Sequence, residues 1–407
     1  MNERAGGAGE KSRTGPVITV VGIGADGMAG LGDAARAELR GATVIYGSRR
    51  QLDLLDGTVA AQRREWPSPL APALEALRDS ATSAHVVASG DPMLHGIGAS
   101  LSKVLGPECV TVLPHVSSVT LACARMGWAV QDTEVISLMT EKVHTAVRPG
   151  GLAIVLCRDD ADPVTIARLL TESGRGDSEL SVLEQLGGPG ERRRDGTARE
   201  WAAQGPADID PLNVLAVRYL PDERRGSALP DDVYAHDGQI TKQMIRAVTL
   251  AALAPRPGEL LWDVGSGSGS IAIEWCRSQS GCRAVSFERD DVRRDRLMTN
   301  VVAFGARVDV RGGAPAAFEG APAPSVIFIG GGLTQPGLFD ACWAALPAGG
   351  RLVANAVTAE SEAAVVQHYS AYGGVLRRYQ HYAGEPVGTF TGWRPAMPVT
   401  QWWVVKQ

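Results

Sequence analysis

Cysteine is scarce and unpaired in this 407-residue sequence. Cys109, Cys123, Cys157, Cys276, Cys282 and Cys342 are scattered, with no C-x-x-C spacing. That pattern excludes a disulfide framework and a cysteine-based zinc site, and fits reduced, mostly buried thiols of a cytoplasmic protein. Long apolar runs are missing too: none approaches the roughly 18 residues that a membrane span needs. Residues 1–15 are polar and carry no apolar h-region, so they read as a disordered tail and not a signal peptide. An excess of basic charge is also absent. Lys and Arg number 40 against 45 Asp and Glu, a net charge of −5, which argues against nucleic acid as a bulk electrostatic partner. Aromatic residues make up only 5%.

Glycine, by contrast, is abundant, with 48 residues, as suits an α/β protein with many strand-to-helix turns. A charged, proline-bounded stretch at 221–230 has the composition of a linker and divides the chain into domains at 16–220 and 231–407. Before it, strands are expected at 17–21, 43–46, 84–88, 110–113, 152–156, 180–183 and 212–219, with helical segments between them. The turn Pro149-Gly150-Gly151 restarts the strand-helix pattern, which suggests two lobes in this domain. After the linker, strands are expected at 259–264, 283–288, 306–310, 325–329 and 351–354. A last pair at 374–380 and 400–405 has no helix-length segment between its members and reads as a terminal antiparallel hairpin.

The densest chemistry lies in Leu260-Leu261-Trp262-Asp263-Val264-Gly265-Ser266-Gly267-Ser268-Gly269, with Glu288 closing the next apolar run. Alternate glycines let backbone approach a ligand where a Cβ would clash. Glu288, about twenty residues beyond the turn, is placed to accept both hydroxyls of a ribose. The spacing G-x-G-x-G lacks the third glycine of a pyrophosphate loop. Asp263 at the strand end would repel phosphate but suit a cation. A sulfonium nucleoside meets both demands, and the loop resembles the S-adenosylmethionine site of a class I methyltransferase.

Two family resemblances extend this reading. Val20-Val21-Gly22-Ile23-Gly24, Ser89-Gly90-Asp91-Pro92-Met93-Leu94-His95-Gly96-Ile97-Gly98 and Pro114-His115-Val116-Ser117-Ser118, in that order, resemble the tetrapyrrole methylases, whose donor lies in a cleft between two lobes. The resemblance implies donor contacts at Gly22, Gly24, Gly90, Asp91, Met93, Ser117 and Ser118, with Leu212 and Asn213 approaching from the second lobe. His115 stands where many relatives have glycine. Tyr234-Ala235-His236-Asp237-Gly238-Gln239-Ile240-Thr241-Lys242, the glycine loop, Phe328-Ile329-Gly330-Gly331-Gly332 and Asn355-Ala356-Val357-Thr358 resemble the decarboxylating precorrin methyltransferases. Here the implied donor contacts are Thr241, Asp263, Gly265, Ser266, Gly267, Ser268, Gly269 and Glu288. Gly313 and Ala314 are added as backbone contacts, because Gly313 stands where relatives carry an acid.

The expected fold is therefore α/β: a two-lobed tetrapyrrole methylase (class III) domain followed by a Rossmann-like class I methyltransferase domain with a terminal β-hairpin. The pairing implies one S-adenosylmethionine per domain and a tetrapyrrole substrate of cobalamin biosynthesis. It implies methylation at meso carbons 5 (first domain) and 15 (second domain), and loss of carbon dioxide from the ring C acetate in the second. Both families commonly assemble, so a homodimer or homotetramer is expected.

Methyl transfer from a sulfonium needs positioning more than acid-base help, so neither a catalytic triad nor a metal is expected. Decarboxylation gains from a proton donor, for which His236, Lys242 and Asn355 are the candidates. Thr241 is placed either to touch the donor or to cap the helix that follows. Arg49-Arg50, Arg192-Arg193-Arg194 and Arg377-Arg378 are candidate partners for substrate carboxylates. The chain has neither the Asn-Pro-Pro-Tyr motif of nitrogen methylation nor a basic stripe, which disfavours tRNA or protein as the methyl acceptor.

Overall fold

The computed structural model describes residues 18–79, 83–222 and 228–407. The tail expected at 1–15 lies outside these residues, as do residues 223–227 of the expected linker. Contacts divide the chain into two compact units. One runs to Glu141 and adds Gly151–Ala167 and Asp177–Tyr219; the other comprises Lys142–Gly150, Arg168–Gly176 and Leu220–Gln407.

The first unit contains two five-stranded sheets. β1 (Ile18–Ile23), β2 (Val44–Gly47), β3 (Gln62–Glu65), β4 (Ala84–Ser89) and β5 (Val110–Leu113) form an all-parallel sheet in the order β3-β2-β4-β1-β5. Its central strands are apolar and buried on both faces, as parallel strands require. β6 (Thr133–Ser137), β7 (Leu152–Leu156), β8 (Glu179–Glu184), β9 (Arg192–Thr197) and β10 (Asn213–Arg218) form a mixed sheet in the order β6-β7-β10-β8-β9. The second lobe therefore starts at β6, ahead of the Pro149-Gly150-Gly151 turn where the restart was expected. β3 and β9 were not anticipated either, because both are polar edge strands. Every residue of β3 is exposed, and β9 opens with three arginines.

The second unit is built on seven strands. They are β11 (Leu260–Val264), β12 (Arg283–Phe287), β13 (Val308–Arg311), β14 (Val326–Ile329), β15 (Arg351–Ala356), β16 (Val375–Tyr379) and, after a two-stranded ribbon of β17 (Tyr382–Val387) and β18 (Phe390–Pro395), β19 (Val399–Val405). The order is β13-β12-β11-β14-β15-β19-β16, parallel except for β19, which runs antiparallel to both its neighbours. The expected pair at the C-terminus is thus adjacent and antiparallel. The connection between its members carries the extra ribbon, which the sequence reading did not foresee.

Side chains alternate across this sheet. Leu261, Ala284, Phe328 and Val353 pack with Trp275 and Leu297 on one face, and Trp262, Phe287, Ile327 and Trp402 fill the other. Asp263, two residues after Leu261, therefore projects on the same face as Leu261, at the C-terminal end of the central strand. Ligands of open parallel sheets bind at that end. No helix among the described residues is long and apolar enough to cross a membrane.

Candidate donor-binding sites

In the second unit, the chain turns sharply between β11 and the helix Ser270–Ser278. Gly265, Gly267 and Gly269 adopt φ of 72°, 55° and 75°. At Gly265 the need is also steric, since a Cβ there would stand 2.7 Å from the Gly331 amide nitrogen. The turn is tied to β12: the Gly265 and Ser266 amides both donate to the Phe287 carbonyl, at 3.0 and 3.2 Å. Ser266 Oγ donates to the Asp263 carbonyl at 2.6 Å. Glu288 is buried. Its Oε2 accepts from the Gly267 amide at 2.8 Å and its Oε1 from the Asp290 amide at 3.0 Å, which aims the carboxylate at the mouth of the turn.

Asp263 is the odd member. It is 1% exposed, and neither carboxylate oxygen has a hydrogen-bond partner. Burial pushes its pKa up to about 7, and the nearby Glu288 charge adds to the rise. The Ala272 amide and the Ser266 hydroxyl offset part of this, from outside hydrogen-bond geometry. A buried carboxylate without a partner is costly unless a cation or donor group completes the site. An S-adenosylmethionine carries such groups, so this donor set fits it. Ser268 is also buried, with its hydroxyl unpartnered. Gly313 packs on Arg289, the residue after Glu288, where a Cβ would meet Arg289 Cβ at 2.8 Å. The Ala314 carbonyl accepts from Gln335 at 3.3 Å.

The segment before β11 is fastened by two residues that the sequence reading missed. Asn300 accepts from the Ala235 amide at 2.8 Å and donates to the carbonyls of Ala235 and Ser268 at 3.0 and 2.9 Å, so one side chain joins that segment to the glycine turn. Arg246, fully buried, pairs with buried Glu274, which also accepts from the Leu229 amide and the Tyr234 hydroxyl, each at 3.0 Å. Arg246, the one charged residue in an otherwise uncharged helix, carried a signal in the sequence; Asn300, in a helix rich in charged residues, carried none.

In the first unit, the loops expected to hold a donor meet. A Cβ at Gly22 would lie 2.1 Å from the Gly90 carbonyl oxygen and 2.6 Å from the His115 amide nitrogen, so β1, the loop after β4 and the loop after β5 converge there. A Cβ at Gly24 would meet Asp26 Oδ1 and the His115 ring. Asp91 Oδ1 accepts from the Met93 amide at 2.9 Å, and Met93 is exposed. Ser117 caps the helix Ser118–Met126, accepting from the Thr120 amide at 3.0 Å. Leu212 precedes β10 and Asn213 opens it. Asn213 donates to the Asp159 and Asp210 carbonyls while its buried Oδ1 has no partner. No hydrogen bond joins either residue to Gly90–Met93 among the described residues.

Family models match at residues 17–202, for tetrapyrrole (corrin/porphyrin) methylases, and at 232–406, for a precorrin methyltransferase domain. A precorrin-6Y C(5,15)-methyltransferase [decarboxylating] of Mycobacterium tuberculosis is 66% identical over 391 residues, 96% of this chain and all of the relative. The chain belongs to the precorrin-6Y C(5,15)-methyltransferase (decarboxylating) family. With that family it is an S-adenosylmethionine-dependent methyltransferase. A Sinorhizobium relative of the same name is 42% identical over 95% of this chain and 96% of its own length. A crystal structure of the C-terminal domain of precorrin-6Y C5,15-methyltransferase from Rhodobacter capsulatus is 44% identical, covering 44% of this chain and 98% of that domain, with a TM-score of 0.42.

The proton-donor candidates have distinct surroundings. His236 Nδ1 accepts from the Gly238 amide at 2.9 Å, which leaves Nε2 to carry the proton of the neutral ring. The Lys242 ammonium lies 3.6 Å from Asp231 and is exposed. Asn355 donates to Thr249 Oγ1 at 2.9 Å and accepts from Gln401 Nε2 at 3.0 Å, locking β15 to β19 and to the helix Gln243–Leu253. Lys242 occupies the cap position of that helix, and no side chain caps it, so Thr241 is not the cap. The Thr241 carbonyl accepts from Arg246 at 2.5 Å. Of the arginine clusters, Arg192 and Arg194 both close on buried Glu184, at 2.7 and 3.0 Å. Burial would raise the Glu184 carboxyl, but these bonds hold it down at about 2. The two guanidiniums are thus structural. No group of three or more metal-binding side chains stands together among the described residues.

Proposed function

We propose that the chain methylates precorrin-6Y at carbons 5 and 15 and removes the ring C acetate carboxyl as carbon dioxide, giving precorrin-8, with one S-adenosylmethionine site in each unit. The observation that carries this reading is the Asp263 carboxylate: buried, unpartnered and beside Glu288 at a glycine turn. In the second unit, Asp263 would take the donor's cationic end and Glu288 its ribose hydroxyls. The backbone of Gly265, Ser266, Gly267, Ser268 and Gly269, with Gly313, Ala314 and Thr241, would line the rest of the pocket. In the first unit, Gly22, Gly24, Gly90, Asp91, Met93, Ser117 and Ser118 would line the donor site, with Leu212 and Asn213 from the second lobe. The bound donor supplies an activated methyl group, and the chain's task is to align it with a nucleophilic meso carbon and exclude water.

In the decarboxylation, the C–C bond to the carboxyl breaks and its electron pair passes into the conjugated ring once an adjacent position is protonated. His236 is the proposed proton source, since its Nε2–H is left for donation. Lys242 is neutralised by Asp231, and Asn355 is engaged in the Thr249–Gln401 network. The division at 221–230 is supported by the two matched ranges, one of which stops at residue 202 and the other of which begins at residue 232. Free cysteines, three of them buried, support a cytoplasmic setting. Assembly into a dimer or tetramer is supported by the ribbon, on which Tyr382, Val387, Phe390 and Trp393 are 57–80% exposed.

Mass spectrometry of anaerobic incubations of the whole chain with reduced precorrin-6 and S-adenosylmethionine tests the reading. Gain of two methyl groups with loss of carbon dioxide is expected, with calorimetry giving two S-adenosylhomocysteine sites per chain. Donor binding without any mass change in the substrate would refute it and favour a metabolite-sensing protein.

A further inference from the structure

Arg50 stands at the C-terminal end of the first unit's parallel sheet, on the short helix Arg49–Asp53 that follows β2. A capping box fixes this helix: Ser48 accepts from the Gln51 amide, and the Gln51 side chain accepts from the Ser48 amide. Arg50 Nη2 donates to Ser89 Oγ at 2.6 Å, and Gln51 Nε2 donates to the same oxygen at 2.9 Å. Ser89 ends β4 and directly precedes Gly90-Asp91, so the guanidinium is held against the loop expected to carry the donor.

Its charge is unmatched. In the same unit, Arg125 is paired with Glu191, Arg158 with Asp162, Arg193 with Asp195, and Arg192 and Arg194 with Glu184. Among the described residues no carboxylate lies within ion-pair distance of Arg50. Asp210 acts on it only at longer range, and its own oxygens accept from the Leu212 amide and Gln185. Burial around the guanidinium lowers its pKa despite that charge, although the residue as a whole is exposed. A guanidinium stays charged under such conditions and offers five donors in a fork, of which one is used here on a neutral hydroxyl. A partly desolvated fork without an anion, at the mouth of a methyl-donor loop, is a receptor for a planar carboxylate.

We propose that Arg50 anchors a peripheral carboxylate of the tetrapyrrole substrate beside the first unit's donor loop. This rests on the function proposed above, whose substrate carries many carboxylates around its rim. The anchor fixes the register of the macrocycle, and so which meso carbon faces the methyl group. The donor's own carboxylate is the other source of the same chemistry, and the experiment separates the two.

Arg50→Ala and Arg50→Lys are prepared in the full chain, and methylation at the two meso carbons is followed by NMR with an isotopically labelled donor methyl. Losing a charge-assisted anchor should raise the substrate KM for carbon 5 methylation roughly 10- to 150-fold with kcat little changed, and lysine should recover part of the loss. S-adenosylhomocysteine affinity and the thermal midpoint should hold, because Gln51 still tethers Ser89. An unchanged KM beside an active wild type overturns the proposal. So does a parallel fall in donor affinity, which would assign the fork to the donor or to structure. A wild-type chain that transfers no methyl group refutes the underlying function, and the anchor with it.

Discussion

Replacing Asp263 with asparagine should separate two consequences of its burial. Its pKa stands at about 7, well above the ordinary aspartate range, which corresponds to about 4 kcal/mol at most. The folded pKa is raised, so the folded chain holds a proton that the unfolded chain releases. Stability from this group is present in full below about pH 4, falls as pH rises toward 7, and is flat above. Donor-free Asp263→Asn should therefore match the wild type only below about pH 4, exceed it increasingly from there to about pH 7, and keep its full advantage at pH 8. Donor binding should behave in the opposite way. If the ionised carboxylate receives the donor's cationic end, about a tenth of the sites are competent at pH 6 and about nine tenths at pH 8, so affinity rises about tenfold across that interval with net proton release. Calorimetry with S-adenosylmethionine, in two buffers of different ionisation enthalpy, measures both quantities. Asp263→Asn should bind weakly at that site and without the pH dependence. An unchanged pH slope in the variant, or a wild type that binds without releasing a proton, would refute the reasoning.

Asn300→Ala leaves the amide and carbonyl of Ala235 and the carbonyl of Ser268 without their partner. A loss of roughly 3 kcal/mol in chemical denaturation, with weaker donor binding in the second unit, is expected. Arg246→Met strands Glu274 as an uncompensated buried charge and should cost about 3–5 kcal/mol, much of it recovered by adding Glu274→Gln; a double variant no more stable than the single one would count against this account. Phe390→Asp with Trp393→Asp should lower the mass measured by light scattering to that of a single chain if the ribbon is the assembly surface. An unchanged oligomer would place the interface elsewhere.

Much of the site was legible because its signals are local. Asp263 and the three glycines lie within seven residues, and Glu288 directly follows the very next strand, so one strand-turn-helix-strand unit brings them together without help from the rest of the fold. Apolar runs marked the buried strands for the same reason, whereas β3 and β9 are edge strands whose polar residues carry no such mark. The arginine triplet at 192–194 read as a possible carboxylate receptor. Only the pairing of β8 with β9 set Arg192 and Arg194 on Glu184, which occupies them.

The sequence by itself determined the glycine-bearing turns at the strand ends of two α/β scaffolds, since glycine spacing and strand-terminal acids act over a few residues. Tertiary structure alone decided the roles of residues whose partners are distant in the chain. It locked Asn355 to Thr249 and Gln401, turned Asn300 into the clamp on the segment before β11, and left Arg50 with an unmatched charge against Ser89. The physical reason is that a side chain's free hydrogen bonds and its local charge balance depend on which residues the fold sets within about 3 to 4 Å of it, and spacing along the chain does not encode that for residues far apart.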